Sequence, residues 1–192
     1  MTAEDPIARF NEWLAEAREA GVAVPEVMTL ATADADGRPS ARMLLLKGGD
    51  ASGFTFFTAY DSRKGRELAE NPRAAIVVYW QPLGRQVRIE GAVRKLAPEE
   101  SDAYWETRPP RSRAAAAASR QSTVIADLEE LEAEAARLLA EHDGEVPRPE
   151  RWGGYLLEPE AIELWQHRED RLHERNRFTR AREGWRVERL AP

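Results

Sequence analysis

The sequence contains no cysteine, which excludes disulfides, thiolate nucleophiles and cysteine-ligated zinc or iron–sulfur centres. Histidine is scarce as well, and the three imidazoles, His142, His167 and His173, form no His-Glu-x-x-His zinc pattern. No glycine-rich Gly-x-Gly-x-x-Gly turn follows a strand pattern, and there is no P-loop, so any phosphate must be held by side chains and a helix start. The first residues lack the apolar core of a signal peptide. The longest strongly apolar run, Ala74 to Trp80, is too short to cross a bilayer. No membrane association and a cytoplasmic location are the expectation. Positive charge is in deficit, 28 Lys and Arg against 34 Asp and Glu, a net −6. That balance argues against a nucleic-acid-binding surface but leaves room for a local basic pocket.

What is present is ordinary for a folded chain: 192 residues, 42% hydrophobic and 32% charged, enough to bury a core. There is no internal repeat and no composition break, so residues 1–192 are expected to form a single domain. Asp5-Pro6 followed by Phe10, Trp13, Leu14 and Ala17 on one face predicts a helix over about 5–20, stopped near Gly21. The period then shortens to two. Strands are predicted at Val27–Ala33, Ser40–Lys47, Phe54–Thr58, Ala75–Trp80 and Gln86–Glu90, with Asp34–Gly37 and Gly48–Gly53 as turns and a short helix from Ser62 to Asn71. Five strands in about seventy residues, over about 27–96, predict an antiparallel barrel and a mainly β, α+β fold. A helical segment follows over about 98–142: Pro98–Thr107, Arg113–Ser119, and a stripe of Val124, Leu128, Leu131, Ala135 and Leu138 expected to pack on the barrel. Strands return at Gly154–Leu157, Ile162–Gln166, Arg175–Arg180 and Trp185–Leu190.

Four stretches concentrate reactive side chains. In Arg42-Met43-Leu44-Leu45-Leu46-Lys47, alternate residues face opposite sides of a strand; a lysine ending such a strand commonly just reaches solvent. In Ser62-Arg63-Lys64-Gly65 two cations occupy the first turn of a helix, against the helix dipole. An anion bound there would reverse that penalty. Tyr104, Arg108 and Ser112, spaced by four, offer hydroxyl, guanidinium and hydroxyl donors to one phosphate, although a helix end with incidental polar residues gives the same pattern. The stretch from Trp165 to Arg175 gathers an aromatic ring, two histidines and several arginines, with His173 expected between Arg171 and Arg175 on one strand face.

Together with Arg85-Gln86-Val87, Ser119-Arg120-Gln121-Ser122 and Trp152-Gly153-Gly154, and in this order, these stretches resemble the pyridoxamine (pyridoxine) 5′-phosphate oxidase family. The resemblance runs from Phe10-Asn11-Glu12-Trp13-Leu14 to the terminal Arg189-Leu190-Ala191-Pro192. It implies a split β-barrel that forms a homodimer with flavin mononucleotide (FMN) at the subunit interface. It implies flavin contacts from Arg42, Met43, Leu44, Leu45, Lys47, Phe57, Thr58, Arg63, Lys64, Gln86, Gln121, Ser122, Trp165 and Arg175. It implies that Lys47, Tyr104, Arg108 and Ser112 hold a substrate phosphate, and that Arg171 and His173 bind the substrate ring and are catalytic. The implied reaction oxidises pyridoxine or pyridoxamine 5′-phosphate to pyridoxal 5′-phosphate, with hydride leaving C4′ for flavin N5. The amine product is an imine that water hydrolyses, and O2 reoxidises the flavin to give H2O2. No metal is implied.

The chain departs from the family pattern in three places. Trp165-Gln166-His167-Arg168 stands where Trp-Gln-Gly-Gly is usual, Phe57 where tyrosine is common, and Glu174 where aspartate is. The N-terminal extension that helps cover the substrate in some members is expected to be short or missing. Phenazine-biosynthesis flavin oxidases share the Arg-Leu-His-Glu-Arg form and are the alternative on the same scaffold; Tyr104, Arg108 and Ser112 favour a phosphorylated substrate. A non-catalytic flavin-binding protein is the other alternative, and the Arg171-x-His173 pair beside a separate phosphate site argues against it.

Overall fold

The computed structural model describes residues 5–192. Helix α1 (Pro6–Glu19) starts where Asp5 accepts the Ile7 amide at 3.0 Å, with Pro6 at the first helical position. Its apolar face, Ile7, Phe10, Trp13, Leu14 and Ala17, is buried as the spacing predicts. Strands β1 (Val27–Ala33) and β2 (Pro39–Leu45) form a hairpin, and β3 (Gly48–Asp50) and β4 (Gly53–Ala59) a second one. The segment expected to be only a turn therefore contains a three-residue strand, too short to leave a periodic signal.

After α2 (Arg63–Glu70) come β5 (Arg73–Trp80), a 3₁₀ turn at Gln81–Leu83 and β6 (Arg85–Lys95). Helices α3 (Pro98–Glu106), α4 (Pro110–Ala118) and α5 (Leu128–Glu141) then lead into β7 (Trp152–Gln166), β8 (Glu174–Arg180) and β9 (Trp185–Arg189). The sheet order is β2-β1-β5-β6-β7-β4-β3, with β8 added on β7 and β9 on β8, and every pairing is antiparallel. The two tail strands expected at Gly154–Leu157 and Ile162–Gln166 are one strand. Pro159 interrupts the apolar pattern without ending β7, which instead bulges at Glu160: Glu90 pairs with Ala161 and the next residue, Gly91, with Pro159. A Cβ at Gly91 would lie 2.0 Å from the Glu158 carbonyl oxygen, so only glycine fits there.

Strand β7 is where the barrel splits. Residues 152–157 pair with β4, whereas residues 161–166 pair with β8, and β6 runs along both parts. The sheet curls round Met28, Leu30, Phe54, Phe56, Ile76, Val78, Ile89, Leu157 and Ile162, all nearly inaccessible to solvent. Helix α1 plugs one opening with Phe10, which meets Phe54 edge-on at 5.1 Å and lies 5.8 Å from Trp80. This is the antiparallel split β-barrel with flanking helices that the strand spacing and the family resemblance predict.

The third helix corrects the sequence reading. Val124 lies before α5 and is fully exposed, and among the described residues α5 buries none of its side chains. It lies against α4 instead of the barrel, so its leucine stripe reflects a helix–helix contact of modest depth. Helix α4 begins at Pro110, three residues before the expected Arg113, because proline is already in place for a first turn.

Candidate functional site

A cleft of about 800 Å³ opens between β2, β4 and the α3–α4 corner. The sequence builds that corner with Pro109. Proline restricts the preceding residue to extended geometry and ends α3, so Arg108 sits in the break between the helices. Its guanidinium packs against two indole rings that themselves meet edge to face, 4.9 Å from Trp105 and 4.6 Å from Trp152. Nη2 donates to the Ser112 carbonyl oxygen at 3.0 Å, while Nη1 is buried and has no partner among the described residues. Burial pushes the guanidinium below the usual arginine range, against a smaller opposing pull from Tyr104. Tyr104, Ser112 and Lys47 line the same cleft, with the Lys47 ammonium 5.6 Å from the Tyr104 ring centre. Phe57, Tyr104 and Trp152 form a near-parallel stack, Phe57 and Tyr104 only 3.8 Å apart at 16°. Met43, Leu44, Leu45, Phe57, Thr58 and Gln121 complete the predicted residues in the wall.

Next to the cleft lies a compact group of charges. Ser62 caps α2 by accepting the Gly65 amide, and a Cβ at Gly65 would lie 2.1 Å from the Tyr60 carbonyl oxygen. The tight start turns Lys64 inward, where Nζ donates to Thr58 at 3.0 Å, Ser62 at 3.3 Å and Gln121 at 2.6 Å. Burial and then repulsion from Arg42, partly offset by Glu67, lower the Lys64 pKa to about 8. Glu67 is buried and accepts from Thr32, from Ser40 at 2.6 Å, from Arg63 at 2.9 Å and from Arg42 at 3.2 Å. Burial alone would push its carboxyl up; those four donors outweigh it and hold the pKa at about 2. Arg42, Arg63 and Lys64 thus share a single carboxylate and leave a surplus of two positive charges, the complement of a phosphate monoester dianion.

The remaining predicted residues are elsewhere on the same chain. Gln86 and Trp165 pair across β6 and β7, and Trp165 pairs with Arg175 on β8. Trp165 is thirteen residues beyond Trp152 along β7, up to about 43 Å at the usual rise of a strand. Arg171 and His173 lie in the loop before β8, not on the strand face expected from their spacing. Arg171 is a non-glycine residue with φ of 63°, a backbone conformation often retained at working sites. Arg175 turns to Glu163 at 2.8 Å and to the Ala191 carbonyl at 3.0 Å, so it does not flank His173. Ser122 is exposed, also with positive φ, one residue from the Gln121 side chain that reaches Lys64. The predicted residues therefore fall into two groups, one near each end of β7.

Sequence reasoning did not single out Trp152 or Glu67 as site residues. Trp152 lies in the noted Trp-Gly-Gly stretch, and Glu67 stands four residues after Arg63, the spacing of a helical ion pair. No group of metal-ligating side chains occurs among the described residues. No helix among them is long and apolar enough to cross a membrane.

Comparison with known proteins gives concordant matches. The family model described as pyridoxamine 5′-phosphate oxidase matches residues 14–141. A second, described as the pyridoxine 5′-phosphate oxidase C-terminal dimerisation region, matches residues 152–192. A protein of Paraburkholderia phymatum named pyridoxine/pyridoxamine 5′-phosphate oxidase is 52% identical over 189 residues, covering 98% of this chain and 89% of the relative. A protein of the same name from Herminiimonas arsenicoxydans is 49% identical, covering 100% and 91%. Among solved structures, PhzG from Burkholderia lata in complex with tetrahydrophenazine-1-carboxylic acid superposes with a TM-score of 0.95 at 40% identity, covering 100% of this chain and 94% of that one. A pyridoxamine 5′-phosphate oxidase-related, FMN binding protein from Nostoc punctiforme gives a TM-score of 0.75 at 18% identity, covering 94% and 96%, a likeness of fold alone.

Proposed function

The chain belongs to the pyridoxamine 5′-phosphate oxidase family, and from that premise we propose that it oxidises pyridoxine or pyridoxamine 5′-phosphate to pyridoxal 5′-phosphate as an FMN-dependent homodimer. The observation that carries the phosphorylated substrate is Arg108. A half-buried guanidinium whose Nη1 is buried with no partner among the described residues, in a cleft it shares with Lys47, Tyr104 and Ser112, is a costly arrangement unless an anion completes it.

A second anion requirement supports the cofactor. The surplus charge of Arg42, Arg63 and Lys64 around Glu67 suits the FMN phosphate, with Thr58 and Gln121 beside it. When bound, FMN supplies the hydride acceptor and passes the electrons on to O2. The protein's own work is to orient and to hold charge. Lys47, Tyr104, Arg108 and Ser112 fix the substrate phosphate, and Arg171 and His173 approach the ring that reacts.

The dimer follows from geometry as well as from the dimerisation region. Groups of residues at opposite ends of one strand are too far apart to meet on one ligand within an extended chain, and a twofold partner would bring the Trp165–His173 end of one copy to the cleft of the other. The exposed apolar Met43 and Leu45 on edge strand β2, 61% and 42% accessible, are surfaces such a partner would cover.

A second reading has a specific observation behind it. The chain superposes closely on PhzG, and His167-Arg168 replaces the family's glycine pair next to His173. An oxidase of a carboxylated, unphosphorylated ring system would use the same scaffold. Mixing FMN-loaded protein anaerobically with pyridoxine 5′-phosphate, then with pyridoxamine 5′-phosphate, separates the two. Bleaching of the flavin absorbance supports the proposal; an unchanged spectrum with both, and bleaching by tetrahydrophenazine-1-carboxylic acid, refutes it.

A further inference from the structure

The loop joining β7 to β8, residues 167–173, is tightly organised although it is largely exposed. The His167 amide donates to the Gly84 carbonyl at 2.7 Å, which ties the start of the loop to the turn before β6. Asp170 clasps the middle: its carboxylate accepts from the Arg168 guanidinium at 2.8 and 3.3 Å and from the Leu172 amide at 3.0 Å. The Arg171 amide donates to the Arg168 carbonyl at 3.2 Å, closing the turn in which Arg171 takes its positive φ. The His173 ring then packs 4.7 Å from Trp165 and 5.2 Å from His167.

One bond in this loop has a direction that chemistry fixes. The main-chain N–H of Arg168 points at His173 Nδ1 over 3.1 Å. A peptide N–H only donates, so Nδ1 must carry its lone pair there, and the single proton of a neutral imidazole is on Nε2. We propose that His173 acts on the substrate as an Nε2–H hydrogen-bond donor, in a tautomer set by the Arg168 main-chain amide, with Asp170 as the positioning residue that holds that amide in place. The inference rests on the reading that puts Arg171 and His173 at the reacting ring. It narrows that reading: His173 offers a proton in a hydrogen bond to an acceptor atom of the substrate and is not the base that removes one. The two side chains that replace the family's glycine pair thereby acquire work, Arg168 through its guanidinium's hold on Asp170, His167 by packing its ring against both the His173 imidazole and Trp165.

The test has two arms. Two-bond proton–nitrogen correlation spectra of the FMN-loaded protein read the tautomer directly, whatever the substrate. A His173 signal with protonated-type Nε2 and unprotonated-type Nδ1 is expected, and Asp170→Ala should convert it to an averaged pattern. A protonated Nδ1, or a pattern unmoved by Asp170→Ala, overturns the positioning claim.

The second arm compares His173→Gln, whose amide N–H falls near Nε2, with His173→Asn, whose amide falls near Nδ1. Gln should retain most of the rate of flavin reduction by substrate and leave its pH profile unchanged. Asn should slow it by about 100-fold, the scale of losing one aligned donor. Equal losses in both variants, with disappearance of the acidic limb of the profile, would establish a base and overturn the donor role. Failure of the wild-type protein to bleach with either vitamer would instead remove the substrate assignment, and the spectra would still report the tautomer.

Discussion

Replacing Arg108 with Met tests the substrate assignment most directly. Methionine keeps an unbranched apolar stem against Trp105 and Trp152 but removes the charge and both donors. A hydrogen bond to a charged group contributes about 1.5–3 kcal/mol, which at about 1.4 kcal/mol per decade is a loss of roughly 10- to 150-fold in kcat/KM for pyridoxine 5′-phosphate. The loss should fall mainly on KM, because the phosphate is remote from the C–H bond that breaks and is held equally before and during reaction. Unphosphorylated pyridoxine, which has nothing to offer Arg108, should be turned over by variant and wild type alike. Folding stability should change by less than about 1 kcal/mol, since the lost cation–π contacts are offset by removing a buried donor without a partner. The assay is anaerobic flavin reduction with the two substrates, paired with urea unfolding. A variant that keeps its KM for the phosphorylated substrate but unfolds several kcal/mol more easily would show that Arg108 is a strut against the tryptophans, and would refute the reasoning.

Other perturbations follow from the same structure. Because Lys64 titrates near 8 rather than at its usual 10.5, FMN affinity should weaken as pH rises through 8, by up to about tenfold per unit while binding takes up one proton. Riboflavin, without the phosphate, should show no such limb, and Lys64→Arg should abolish it; fluorescence titration across pH 7–10 reads both. The Glu67 carboxyl is depressed from 4.5 to about 2, so its contribution to stability is complete above about pH 4.5 and is lost as pH falls toward 2. The stability gap between wild type and Glu67→Gln, measured by urea unfolding, should therefore narrow over that window; a gap that widens would contradict the network. Phe10→Ala, at the fully buried plug of the barrel, should cost about 3–5 kcal/mol in the same measurement. A cost under about 1 kcal/mol would mean that α1 does not close the core.

Much of this architecture can be read from residue order because local chemistry and tertiary environment agree. Asp5-Pro6 and the Phe10–Trp13–Leu14–Ala17 face specify α1, and the alternation in β1 and β6 matches burial on one side of a sheet. Strand β7 could not be read as one element, since Pro159 looks like a terminus until the strand is seen to continue past it through a bulge at Glu160. The α5 stripe was legible as a helix but not as to its neighbour, because periodicity records a face and not what covers it. At the site, Tyr104, Arg108 and Ser112 line one cleft as their spacing suggests, and Lys47 lines it with them as only the family resemblance implies. Their unused hydrogen-bonding capacity, and the role of Glu67 in gathering two arginines, exist only in three dimensions. The separation of Arg171 and His173 from that cleft reflects the length of β7, which no motif encodes.

That length has a consequence for how this protein can change. Strand β7 serves as a ruler, with the cleft beside Trp152 at one end and, in the proposed function, a second half of the site beyond Trp165 at the other. Inserting or deleting one residue within it would turn every side chain beyond that point to the opposite face and disturb both ends together. New substrates must therefore be reached by substitution at the ends of the ruler or by remodelling the loops that hang from it. The exchange of two glycines for His167 and Arg168, immediately past the last residue of β7, is a change of the permitted kind.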